Sequence, residues 1–130
     1  MQKQHLFESA VIRVVPQVER EEFLNVGVIL YCKDQKFLKL KFELDEARLK
    51  AFCKPIDIEE LRGQLDAFDQ ICKGGTEGGE IGKLSMPERF RWITAARSTT
   101  IQTSKVHPGL CDDAGEMMER LFVQMVSPRC

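Results

Sequence analysis

No stretch of this sequence is long and apolar enough to cross a bilayer. The longest uninterrupted apolar run is Val26 to Cys32, seven residues with Gly27 counted, against roughly 20 for a spanning helix. The opening MQKQHLFESAVIRVV lacks the basic start, apolar stretch and small-residue cleavage site of a secretory signal. The expected setting is therefore cytoplasmic, with no membrane partner. Charge of one sign is also missing: 19 Lys and Arg face 20 Asp and Glu, for a formal net charge of −1. Proteins dedicated to nucleic acid usually carry a basic excess, so that class is disfavoured. Histidine is scarce, with only His5 and His107. The five cysteines (32, 53, 72, 111 and 130) are widely spaced and contain no C-x-x-C pair. An odd, scattered set does not build a disulfide framework. His107 and Cys111 offer half of a zinc site with no second half, so neither metal nor cofactor is expected. Cys32, Cys53 and Cys72 fall on apolar positions and read as buried free thiols.

What is present is an ordinary globular balance, 43% hydrophobic and 30% charged over 130 residues. That fits one domain, residues 1–130, with one core. Ala10–Val15 (AVIRVV) is β-branched and reads as a strand, ended by Pro16. Val26–Lys33 is a second strand, apolar at odd and even positions, hence covered on both faces. Phe37–Glu43 is a third, with Leu38, Leu40 and Phe42 on one side and Lys39, Lys41 and Glu43 on the other. The short polar link between them predicts an antiparallel hairpin.

Helical spacing takes over downstream. Asp45 caps a short helix to Phe52, and Pro55 breaks the chain. Asp57 and Glu60 cap a second helix whose stripe is Ile58, Leu61, Leu65, Phe68 and Cys72. Residues 73–83 hold five glycines and read as a flexible loop. Ser85 and Glu88 form a capping box for a third helix to about Arg97. Thr99–Val106 is a mostly polar fourth strand, and His107 sits in a turn before Pro108-Gly109. A last helix opens at Asp112 or Asp113, with Ala114, Met117, Met118, Leu121, Phe122 and Met125 toward the core. Strands early and helices late predict an α+β fold: an antiparallel sheet of about four strands, with three to four helices packed mainly on one face.

Candidate chemistry concentrates between Arg13 and Gly27. Arg13 interrupts an apolar strand, and a guanidinium there costs free energy unless it meets a carboxylate, a carbonyl or a ligand. Arg20, Glu21, Glu22 and Asn25 lie in the connection to the next strand. With the two strands antiparallel, that connection folds back so that Arg13 can reach Glu22 or Asn25. One reading is an Arg–Glu bridge with an Asn-based turn, holding the hairpin in place. The other is a ligand or catalytic site. Gly27 inside a strand marks either a bulge or the close approach of a ligand or another backbone. Other signals are weaker. Gly82-Lys83 ends like a phosphate-binding loop, but Glu77 and Leu84 break that pattern. No serine or cysteine sits in a G-x-S-x-G turn. Lys33, Lys36, Lys39 and Lys41, with Arg89, Arg91, Trp92 and Arg97, add basic character without the interleaved aromatics of a base-stacking sheet.

The pattern R-x-x-P followed by R-E-E-F-x-N-V-G-V resembles the bacterial family of unknown function DUF3037. Arg13, Pro16, Arg20, Glu21, Glu22, Phe23, Asn25, Val26, Gly27 and Val28 carry the match. The resemblance extends to the late helix and the Leu121-Phe122-x-x-Met-Val ending. It implies no activity, since the family has none established. It implies a protein partner, because some members sit beside genes for HipA-like kinase proteins. Three functions stay open: a binding or accessory module working with a partner; a small enzyme acting on a phosphorylated or carboxylated substrate; and a nucleic-acid binder. In the enzyme, Arg13 and Arg20 would hold the anion, Glu22 would move the proton and Asn25 would orient the substrate.

Overall fold

The computed structural model describes residues 4–53, 55–95 and 99–127. Its centre is β1 (His5–Val14), flanked on one side by β2 (Leu24–Cys32) and, beyond it, β3 (Phe37–Phe42). On the other side β1 is shared by two short strands. β4 (Ile101–Thr103) pairs with its second half and β5 (His107–Cys111) with its first. Every pairing is antiparallel. The helices are α1 (Glu46–Phe52), α2 (Ile58–Lys73), the single turn α3 (Gly79–Gly82), α4 (Met86–Thr94) and α5 (Ala114–Met125). The fold is α+β, as the order of patterns in the sequence requires. No helix among the described residues is long and apolar enough to cross a membrane.

The strand period of two sorts side chains between two apolar layers. Ala10, Ile12 and Val14 of β1, Ile29 and Tyr31 of β2, and Leu38 and Leu40 of β3 join Leu49 of α1, Leu61 and Leu65 of α2, and Phe90 and Ile93 of α4. On the opposite face Phe7, Val28, Leu30 and Cys32 meet Ala114, Met118 and Phe122 of α5. Most helices thus share one face, and among the described residues α5 alone covers the other. That is why β2 is apolar at both parities. Met125 departs from the expected core stripe of α5: it is 43% exposed, while Phe122 and Val126 beside it at the end of the helix are buried.

Caps set the helix starts. Asp45, Asp57 and Asp113 each accept the N–H three residues on, and Ser85 with Glu88 forms a reciprocal box. Four expectations need correction. α4 stops at Thr94 and Ala95 is already extended, short of Arg97, which lies outside the described residues. The fourth strand is only Ile101–Thr103, and His107 stands in a fifth strand rather than a turn. Edge position lets β5 hold Pro108, and Gly109 lets the Phe7 ring cross it: a Cβ there would lie 2.6 Å from that ring. The glycine-rich stretch is folded into a short 3-10 turn and α3. Gly75 N–H donates to Gly82 O at 2.9 Å, and a Cβ on Gly82 would sit 2.4 Å from Gly75 O.

Candidate functional site

Arg13 stands near the end of β1, opposite Asn25 of β2 and Gln102 of β4. The ladder is irregular here. Ile12 faces Gly27 but Arg13 faces Asn25, so Val26 is the extra residue of a bulge. The bulge sends Val26 into the layer under α1 and α2, out of step with Val28. It leaves Arg13 and Asn25 together on the α5 face. Both readings of Gly27 hold in part: it adjoins the bulge, and β3 backbone approaches it. A Cβ on Gly27 would lie 2.6 Å from Lys41 O.

The guanidinium carbon of Arg13 lies 4.0 Å from the centre of the Phe23 ring. Its Nε is buried with no hydrogen-bond partner among the described residues. No carboxylate stands within ion-pair distance of it among them either. Asn25 Nδ2 donates to Met125 O at 3.0 Å, which satisfies one carbonyl left open at the end of α5. Asn25 Oδ1, like Arg13 Nε, is buried and unpartnered. So one edge of the asparagine ties the sheet to α5 while the other finds nothing.

The remaining members of the stretch lie elsewhere. Val18–Arg20 form a 3-10 turn, closed by Glu21 in the left-handed region at φ 57°. Arg20 Nε donates to Glu22 Oε1 at 2.7 Å, on an exposed surface. The expected bridge from Arg13 to Glu22 is not formed; Glu22 pairs with Arg20 instead, and exposed pairs of this kind contribute at most about 1 kcal/mol. Arg20 and Glu22 line a cleft of about 330 Å³ with Phe52 and Cys53. Pro16, Gln17, Cys53 and Pro55 are shared with a neighbouring cleft of about 300 Å³. No described cleft is lined by Arg13 together with Arg20 or Glu22. The structure brings Arg13 to Asn25 and Arg20 to Glu22, as two pairs.

Three groups elsewhere in the fold have displaced pKa values. Burial pushes the Cys72 thiol up to about 12, with Asp69 adding to the rise. Burial likewise raises Cys111, helped by nearby Cys32. Hydrogen bonds from Ser85 lower Glu88 within its capping box. Cys53 is half-buried at the cleft, while Cys32, Cys72 and Cys111 are buried free thiols; Cys130 lies outside the described residues. Among the described residues no three His, Cys, Asp or Glu side chains converge as metal ligands.

The basic residues are also placed. Arg89 is buried, 8% exposed, and donates from Nη1 to Ile71 O and Cys72 O at 2.8 and 2.7 Å, and from Nε to Leu84 O at 3.1 Å. It holds the end of α2 and is not a surface cation, which sequence spacing alone did not reveal. Lys41 pairs with Glu119 of α5 and lies over Phe122. The Lys-bearing side of β3 is therefore partly occupied by α5.

The stretch with the bulge, the exposed turn and the unpartnered arginine is also the densest part of the motif noted in the sequence. The chain matches the family of proteins of unknown function DUF3037 over residues 9–126. It belongs to that family. The match spans every strand and helix described above except the first few residues of β1. No curated protein and no solved structure matches the chain. For a DUF3037 protein, then, the conclusion about function rests on the geometry.

Proposed function

We propose that this DUF3037 protein is a binding module that acts with a partner protein through the surface built by Arg13–Gly27. The observation that carries this reading is Arg13: a half-buried guanidinium propped on Phe23, with a buried Nε that no group among the described residues satisfies. Leaving such a donor unmet is costly, and an acceptor from a partner would relieve it. The surroundings suit a protein surface. The connection from Gln17 to Phe23 is exposed throughout. Val18, Phe23 and Met125 leave 45%, 46% and 43% of their area open. Exposed aromatic, methionine and arginine side chains together are the residue types enriched at protein interfaces. A catalytic use of the stretch would need Arg13, Arg20, Glu22 and Asn25 around one cleft, and they occupy two places. We place the interaction in the cytoplasm, in keeping with the free thiols, and take the HipA-like kinase proteins suggested by the family resemblance as the first partners to try.

The test is co-purification from native lysate and direct binding to a HipA-like kinase protein, with wild type beside Arg13→Ala and Phe23→Ser. A partner held by wild type and lost by both variants, at unchanged circular dichroism, is the expected result. A partner retained by both variants would move the interface away from this surface.

A further inference from the structure

The sheet ends at β3 on the side away from β1. β3 pairs with β2, and among the described residues no strand pairs with its other edge. Glu43 N–H donates to Val26 O at 2.8 Å, which sets the phase of the ladder. Antiparallel alternation then turns the main-chain N–H and C=O groups of Leu38, Leu40 and Phe42 outward. A row of unpaired main-chain groups is a ready template for another strand.

A groove of about 480 Å³ runs beside this edge, roomier than either cleft at the β1–β2 connection. Leu38, Leu40, Cys72 and Met86 supply its apolar lining. Lys36 and Lys73 supply charge, with Lys39 bordering the groove from the other face of β3, against a single carboxylate, Asp69. Asp69 is already paired with Lys73 at 3.0 Å. Lys36 and Lys39 have no carboxylate partner among the described residues. Charge therefore selects the occupant. A second copy of this chain, edge to edge, would bring Lys39 against its own kind, and lysine on an edge strand is a known deterrent to self-pairing. An acidic strand meets no such penalty.

We propose that the β3 edge accepts an extended acidic segment of a partner protein as a sixth strand. The segment alternates. Its apolar side chains enter the groove beside Leu38 and Leu40, its acidic ones meet Lys39 on the opposite face, and Lys36 at the hairpin turn takes an end carboxylate. Main-chain hydrogen bonds supply affinity, and the alternation supplies specificity. The groove lies at the turn end of the β2–β3 hairpin, away from Arg13, so this inference is independent of the reading above.

The experiment titrates the intact protein with a short capped peptide of alternating Val and Glu, followed by amide NMR and hydrogen exchange. Three comparison probes are used: the Val–Lys peptide, the Val–Glu peptide N-methylated at alternate amides, and an oligothymidylate. Expected are slowed exchange at Leu38 and Leu40 with Val–Glu, and a loss of about tenfold or more in affinity on N-methylation. Lys36→Glu with Lys39→Glu should weaken Val–Glu binding by a similar factor while improving Val–Lys binding. Both lysines are exposed, so the fold should survive. No binding of Val–Glu, or binding indifferent to N-methylation or charge reversal, overturns the proposal. Tighter binding of oligothymidylate at the same lysines overturns it in favour of nucleic acid.

Discussion

Replacing Arg13 with methionine separates a structural arginine from a functional one. Methionine keeps the length and most of the apolar stem but removes the guanidinium. Two terms oppose each other. The stacking of the cation on Phe23, at 4.0 Å, is lost, which costs about 0.5–1 kcal/mol at a partly open site. The buried Nε without a partner also disappears, which relieves about 1–3 kcal/mol of unmet desolvation. No ion pair is broken among the described residues. Arg13→Met should therefore leave stability unchanged or raise it by up to about 2 kcal/mol, the signature of a residue kept for a partner at some expense to the fold. Urea unfolding followed by circular dichroism reads the change, with partner capture measured on the same samples. A loss above about 1.5 kcal/mol would refute the reasoning and make Arg13 a brace.

Three other perturbations follow from the geometry. Arg89→Ala strands the carbonyls of Ile71, Cys72 and Leu84 inside the structure; the expected loss is about 3–5 kcal/mol, and thermal unfolding within 1 kcal/mol of wild type would contradict it. Gly27→Ala pushes a methyl to 2.6 Å from Lys41 O and should cost about 1–3 kcal/mol, with altered exchange of β3 amides reporting the displaced strand. The pKa of Glu88 is lowered from its ordinary 4.5, first by the Ser85 side chain. A depressed carboxylate contributes stability that is present above the ordinary value and lost as pH falls through the folded one. Ser85→Ala should flatten that acid limb of the urea-midpoint profile, and parallel limbs in both proteins would exclude the box as its source.

Local chemistry was plain in the sequence wherever one element suffices to express it. The Asp45, Asp57 and Ser85 caps, the stripe of α2 and the alternation of β3 each follow from neighbours a few residues apart. β5 was hidden because His107-Pro108-Gly109 has turn composition, and only pairing with β1 and the Phe7 ring makes it a strand. Arg89 looked like a surface cation because its partners are carbonyls of another helix, which carry no side-chain signature. In the motif, Glu22 and Asn25 were the two residues within expected reach of Arg13, and only Asn25 stands opposite it. The assignment of Glu22 to Arg20 depended on the turn at Glu21.

By itself the sequence determined the α+β class and most of the order of the elements, because periodicity and caps are local or linear properties. Tertiary structure decided the rest. The bulge at Val26 put Arg13 and Asn25 on one face and left Arg20 and Glu22 to a different cleft. Sheet order left β3 as the open edge beside a basic groove. Register and strand order are long-range choices, set by how two apolar layers close around one sheet, and no window of the chain contains them.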